Sequence, residues 1–139
     1  MASIPAHQLH ILEGMDVPIG GEAATSDVTL DALIGYSLHG NPSGRAADLI
    51  TWANADPSPV LSLDTPSGLD ATTGRPSSPC VRATAALTLA LPKTGVLKAP
   101  SSTGRLFLAD ISVPPSVYRR IGIDAPLLFR EEGIVEIRS

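Results

Sequence analysis

Two short apolar runs separated by an amphipathic stretch constrain the fold of this chain more than any other feature. The first run, residues 28–35, contains one acidic residue, Asp31, and closes on glycine, as a buried strand ending at a turn does. Apolar positions within residues 46–53 fall on one side of a helix. The second run, residues 60–64, is too short for a helix. This order predicts a βαβ unit with parallel strands and a right-handed crossover.

Three more strands are predicted in the rest of the chain. Residues 84–91 are nearly continuous in Ala, Leu and Thr and end at Pro92, and residues 105–111 form a similar run. Residues 134–137 predict a final short strand. The sequence therefore predicts an α/β fold with a mainly parallel sheet.

Helices and connections are less clearly marked. Proline is favoured in the first turn of a helix, so Pro114-Pro115 predicts a helix that continues to Ile121. A short helix is predicted at residues 7–15. Residues 69–82 are rich in Gly, Pro, Ser and Thr, which predicts a long surface connection of the kind that is more often functional than idle.

Composition predicts one domain, residues 1–139, and excludes several function classes. Aromatic residues are only 4% of the chain, so Ala, Val, Leu and Ile must build the core, as in layered α/β packing. The net charge of -4 and the scattered basic residues argue against nucleic-acid binding. No apolar segment has the length that a membrane span requires. The single cysteine, Cys80, cannot form an internal disulfide, so we expect a cytoplasmic protein.

Polar residues cluster where the predicted parallel strands end. Ligands bind beyond the carboxyl ends of such strands, where Asp31, Asp64, Lys93 and Asp110 fall. Two carboxylates on adjacent strands, with the Ser67 hydroxyl nearby, favour an oxygen-lined pocket for a hard cation over a zinc site. Alternatively, each aspartate only caps the loop that follows it.

The segment after the first strand has two interpretations as well. Glycines at both ends of residues 35–41 let backbone amides approach a phosphate closely. A tight turn between strand and helix is an equally good explanation. Lys93 is either a phosphate ligand or a surface lysine, and Cys80 is interpreted as an incidental thiol.

Four segments in this order resemble the NAD(P)H-hydrate epimerase family, also called the YjeF N-terminal domain family. They are DALIGYSLHG from Asp31, SLDTPSGLDATTG from Ser62, LTLALPKTG from Leu87 and LFLADISVPPSVY from Leu106. The resemblance covers about residues 27–121. It implies a Rossmann-like three-layer fold with a bound potassium ion. It also implies interconversion of the R and S epimers of hydrated NADH and NADPH, so that a partner dehydratase can restore the cofactor.

Site roles follow from the resemblance position by position. Asp31 and Ser67 look like the potassium ligands of the family, and Asp64 is the expected proton-transfer residue. The substrate-binding positions implied by the resemblance are Gly35, Tyr36, Ser37, Leu38, His39, Gly40, Asn41 and Asp64.

The sequence departs from the family in its N-terminal part. Members carry a strand followed by a GNNGGDG-type loop, and this sequence contains no such loop. We therefore expect the fold to lack the first strand or strands, which leaves a parallel edge open. A separate N-terminal half chain or a homodimer would complete it. The alternative hypothesis is a non-catalytic nucleotide-binding or scaffold module of the same fold.

Overall fold

A computed structural model describes residues 4–20, 26–36, 38, 40–123 and 133–137 of the chain. Five strands form one sheet in the order β1-β2-β3-β4-β5. The first four strands are parallel, and the fifth is antiparallel to the fourth. Their bounds are β1 Thr29–Asp31, β2 Val60–Leu63, β3 Ala85–Leu89, β4 Arg105–Ala109 and β5 Ile134–Ile137. The predicted α/β fold with a mainly parallel sheet is thus confirmed.

Five helices accompany the sheet within the described residues. They are α1 Ile4–Gly14, α2 Gly44–Ala55, α3 Thr94–Leu97, α4 Pro100–Thr103 and α5 Pro115–Arg120. Helix α2 connects the parallel strands β1 and β2, which confirms the predicted βαβ unit. Every residue of α1 is exposed, so this helix adds nothing to the buried core.

The core lies on one face of the sheet. Strand residues alternate between the two faces, and the buried set includes Val60, Ala86 and Leu106. These residues pack against Ile50 of α2 and Val96 of α3. The opposite face keeps apolar side chains in contact with water, among them Leu30, Leu63, Leu89 and Ile134.

The predicted elements differ from the structure in two ways. Strand β1 ends at Asp31, so the predicted strand over residues 28–35 is too long, and the segment after Asp31 is loop. The predicted surface connection, residues 69–82, is wrong in part, because Leu69, Ala71 and Val81 are buried. Their apolar side chains anchor this irregular segment to the core.

None of the helices within the described part of the chain is long and apolar enough to cross a bilayer.

Candidate functional site

Asp31 sits at the carboxyl end of β1 in a buried hydroxyl cluster. Its side chain is 2% exposed, and the register places it opposite Ser62 of β2. One oxygen, Oδ2, accepts hydrogen bonds from Ser62 Oγ at 2.7 Å and Ser67 N at 2.9 Å. The other, Oδ1, accepts from Ser67 Oγ at 2.5 Å and Leu33 N at 3.4 Å. Several donors therefore stabilise a carboxylate that would otherwise be costly to bury.

Ser67 joins the β1 end to the loop after β2. Its Oγ accepts a hydrogen bond from Ile34 N at 2.9 Å and lies 3.3 Å from the Ile34 carbonyl oxygen. The Ser67 hydroxyl has one proton, and its shorter distance to Asp31 Oδ1 shows that the proton is donated to that oxygen. The Ile34 carbonyl oxygen therefore lies beside the Ser67 hydroxyl without receiving its proton.

This oxygen cluster fits a hard cation better than a soft one. It combines the Asp31 carboxylate, the Ser67 hydroxyl and the Ile34 carbonyl, and carboxylate and carbonyl oxygens suit hard ions. No salt bridge to Asp31 occurs within the described residues, so its charge has no cationic side chain as partner there. Groups of three or more His, Cys, Asp or Glu at metal-binding distance are also absent from those residues.

Asp64 follows β2 and is bonded differently from Asp31. Its backbone φ is +66°, a left-handed conformation that is uncommon outside glycine and is often found at functional sites. Oδ1 accepts a hydrogen bond from Leu89 N at 3.1 Å and forms an ion pair with Lys93 Nζ. Oδ2 has no hydrogen-bond partner in the part of the chain that the structure describes, so it is the oxygen available to a ligand.

Lys93 is held in place from the end of β3. Its Nζ lies 3.3 Å from both Thr88 Oγ1 and the Leu89 carbonyl oxygen, besides its contact with Asp64. The ammonium group therefore balances the Asp64 charge and fixes the carboxylate across the gap between β2 and β3.

Other groups singled out in the sequence have structural roles. Asp110 accepts a hydrogen bond from Ser112 N at 2.7 Å, so it caps the loop after β4. Burial raises the pKa of the Cys80 thiol, which keeps the group protonated at neutral pH and agrees with an incidental role.

The loop between β1 and α2 forms one wall of a cleft of about 440 Å³. Tyr36, Leu38, Gly40 and Asn41 line this wall, and residues 69–72 and 75–77 line the other. Asn41 Oδ1 accepts a hydrogen bond from Ser78 N at 3.1 Å, which ties the two walls together. Of the predicted substrate-binding positions, Ser37 and His39 lie outside the described residues.

A family model described as "YjeF-related protein N-terminus" matches residues 3–95, which is most of this chain. The chain belongs to this family. The sequence of the chain is 49% identical over 127 residues to a protein of Dehalogenimonas lykanthroporepellens named NAD(P)H-hydrate epimerase. That match covers 88% of this chain and 51% of the relative.

Further relatives agree with the family membership. A protein of Moorella thermoacetica named bifunctional NAD(P)H-hydrate repair enzyme Nnr is 42% identical over 91 residues, which is 64% of this YjeF-related chain and 17% of the relative. The crystal structure of the yeast protein YNL200c superposes with a TM-score of 0.78 at 17% identity, covering 98% of this chain and 61% of the yeast chain. The chain spans about half the length of the Dehalogenimonas relative.

The structure brings most of the predicted site residues of this YjeF-related chain to one end of the sheet. Asp31 and Ser67 are in direct contact, and Asp64 ends the neighbouring strand. Sequence analysis missed two contacts of the site: the hydrogen bond from Ser62 to Asp31 and the ion pair of Lys93 with Asp64. The sequence marks both positions, because Ser62 is the one polar residue inside an apolar strand and Lys93 follows the strand beside Asp64, but it does not show the contacts they make.

Proposed function

We propose that this chain supplies the catalytic part of an NAD(P)H-hydrate epimerase site. The substrate would be hydrated NADH or NADPH, and the reaction would interconvert its R and S epimers. The observation that carries the proposal is the pair of carboxylates at the ends of adjacent parallel strands: Asp31 is held by hydroxyl and amide donors, and Asp64 has one oxygen without a partner among the described residues. Curated relatives with the epimerase name support it.

Asp64 has the features of a proton-transfer residue. Inverting a hydroxyl-bearing carbon requires a bond to that carbon to break and re-form, and each step needs a proton donor or acceptor. Asp64 Oδ2 has no hydrogen-bond partner among the described residues, while Lys93 and Leu89 N hold Oδ1. The loop of residues 35–41, of which Tyr36, Leu38, Gly40 and Asn41 line the cleft, would bind another part of the substrate there.

A potassium ion at Asp31 and Ser67 is part of the proposal. Their oxygens, with the Ile34 carbonyl, form a donor set suited to a hard cation. When bound, such an ion supplies positive charge near the substrate phosphates. Asp31 and Ser67 also connect the loop after β1 to the loop after β2, which positions Asp64.

Completion by further polypeptide is proposed as well. Within the described residues strand β1 is the edge of the sheet, and no strand of those residues pairs with its outer side. We propose that an N-terminal half chain or a second copy completes this edge. We also propose a dehydratase as functional partner, because several relatives bear the name of a bifunctional hydrate repair enzyme. A cytoplasmic setting fits the single thiol of Cys80.

The function is tested by incubating the chain with the R epimer of hydrated NADPH and following the S epimer by chromatography. We expect conversion above the buffer control when the chain is mixed with the part of the Dehalogenimonas relative that lies outside the match. The relative's part alone is the control. Absence of conversion by the mixture would reject the epimerase proposal.

Potassium is expected to stabilise the chain. A ligand that binds only the folded state raises the melting temperature, and saturation at about 100 times Kd contributes roughly 2.7 kcal/mol. We expect potassium chloride to raise Tm above its value in choline chloride of equal ionic strength. Asp31→Asn should lose this difference, whereas Asp48→Asn on the exposed side of α2 should keep it. Equal Tm in both salts for the unchanged chain would contradict the potassium site.

The second candidate function is a non-catalytic nucleotide-binding or scaffold module. The four donors on Asp31 favour it, because a carboxylate bonded in this way already has a structural role in joining β1 to the next loop. This module would bind nucleotide in the cleft and give no epimerisation in the same assay.

A further inference from the structure

The cleft beside the Gly35 to Asn41 loop contains a cation that the proposed reaction does not use. Arg75 lines this cleft, on the wall opposite the loop. Its side chain is exposed, and among the described residues its guanidinium forms no hydrogen bond and no ion pair. A planar guanidinium with free donors is suited to bidentate binding of phosphate.

The wall that carries Arg75 is fixed by backbone pairing. Leu69 and Pro76 form an antiparallel bridge, and Asp70 N donates to the Arg75 carbonyl at 3.0 Å. Ser77 N donates to the Gly68 carbonyl at 2.8 Å. Arg75 is therefore presented from a defined backbone position, which lowers the ordering cost of ligand binding.

Asp70 is hydrogen-bonded within its own turn and forms no ion pair with Arg75 in the described part of the chain. Its Oδ1 accepts hydrogen bonds from Thr73 N at 2.7 Å and Thr72 N at 2.9 Å. The backbone amide of Thr73, followed by that of Thr72, lowers the pKa of Asp70, so the carboxylate stays charged and occupied in its own turn.

The opposite wall offers an aromatic ring. Tyr36 is 73% exposed and lines the same cleft. Exposed aromatic rings stack on nucleobases without sequence preference. The cleft volume of about 440 Å³ also falls within the range of about 300–1,000 Å³ that is usual for small-molecule sites.

We propose that this cleft binds the adenosine side of a dinucleotide, with Arg75 holding a ribose-linked phosphate and Tyr36 stacking on the base. The inference rests on the proposed function for the identity of the dinucleotide. Arg75 is then a substrate-binding residue. If Arg75 binds a phosphate on the 2′ position of the ribose, the chain would prefer hydrated NADPH to hydrated NADH. If Arg75 binds the 5′ phosphate, which both substrates carry, it would give no preference.

Calorimetric titration of the 139-residue chain tests this inference. The probes are adenosine 2′-monophosphate, adenosine 5′-monophosphate and inorganic phosphate at constant ionic strength. We expect at least one nucleotide to bind more tightly than inorganic phosphate. Arg75→Ala should weaken that binding about tenfold or more, since hydrogen bonds to charged groups are the strong ones. The nucleotide that is favoured identifies the phosphate that is recognised.

Arg119→Ala is the matched control, because it removes one exposed positive charge on α5, outside the lining of the cleft. It should leave nucleotide binding unchanged, and Arg75→Gln should reproduce the loss seen with alanine. Equal binding by Arg75→Ala and the unchanged chain overturns the inference, as does an equal loss in Arg119→Ala or equal affinity for inorganic phosphate. Binding requires no turnover, so a failed epimerase assay with Arg75-dependent binding rejects only the proposed function.

Discussion

Asp64→Asn is expected to lower kcat for epimerisation by a factor of about 100 to 10,000, the usual contribution of a positioned acid or base. Asparagine keeps an acceptor for the Leu89 N–H, so the loop geometry is preserved. It removes the basicity of Oδ2, the oxygen that has no hydrogen-bond partner among the described residues. Steady-state kinetics of the completed protein should therefore show a large fall in kcat and a small change in KM.

Asp48→Asn is the control for this experiment. It makes the same chemical change at an exposed position of α2, away from the strand ends, and should keep full activity. Unfolding curves of both variants show whether either loses stability. If folded Asp64→Asn retains the activity of the unchanged protein, Asp64 is not the proton-transfer residue.

Gly68→Ala is expected to destabilise the fold by about 2–5 kcal/mol. The φ of Gly68 is +93°, and a left-handed conformation costs an alanine about 1–2 kcal/mol. A Cβ at this position would also lie 2.6 Å from the Pro79 carbonyl oxygen and 2.9 Å from Cys80 Cα. Overpacking costs typically about 1–3 kcal/mol more, because the backbone must move. Urea unfolding at 25 °C measures the total.

Gly122→Ala separates the two contributions. Its φ is +76°, but a Cβ there would meet nothing within 4 Å. It should therefore lose only the conformational part, about 1–2 kcal/mol. Equal losses in Gly68→Ala and Gly122→Ala would show that the close approach to residues 79 and 80 is relieved at no cost.

The sequence predicts those parts of the fold that have a clear period. The apolar runs at residues 60–64, 84–91 and 105–111 identify β2, β3 and β4, and the helical stripe over residues 46–53 identifies α2. Their order then specifies parallel pairing, because a helix between two strands requires a crossover. The antiparallel pairing of β5 with β4 has no comparable signal in the residues.

The short helices α3 and α4 escape sequence analysis because each has only four residues, too few to show a period. Tertiary contacts hold α3 in place: Gly95 N donates to the Ala71 carbonyl at 2.8 Å. The same contact explains the partly wrong interpretation of residues 69–82. Gly, Pro, Ser and Thr suggest a solvated loop, but packing depends on the few apolar residues between them.

The candidate site was predictable in position and less so in bonding. Carboxyl ends of parallel strands meet at one edge, which brings Asp31 and Asp64 to the same end of the sheet from sequence alone. The hydrogen bonds could not be predicted from the sequence, because Ser67 and Asp31 are separated by 36 residues and their contact depends on the backbone conformation of residues 64–67. The ion pair of Lys93 with Asp64 likewise depends on backbone conformation.

The water-facing leucines of the sheet couple the stability of this protein to its association with any polypeptide that covers them. Leu30 is 63% exposed, and Leu63 and Leu89 share its face. Apolar surface removed from water by a covering polypeptide contributes about 25 cal/mol per Å², and that gain exists only in the assembled state. Folding and association are then thermodynamically linked, so apparent stability becomes a function of protein concentration as well as of sequence.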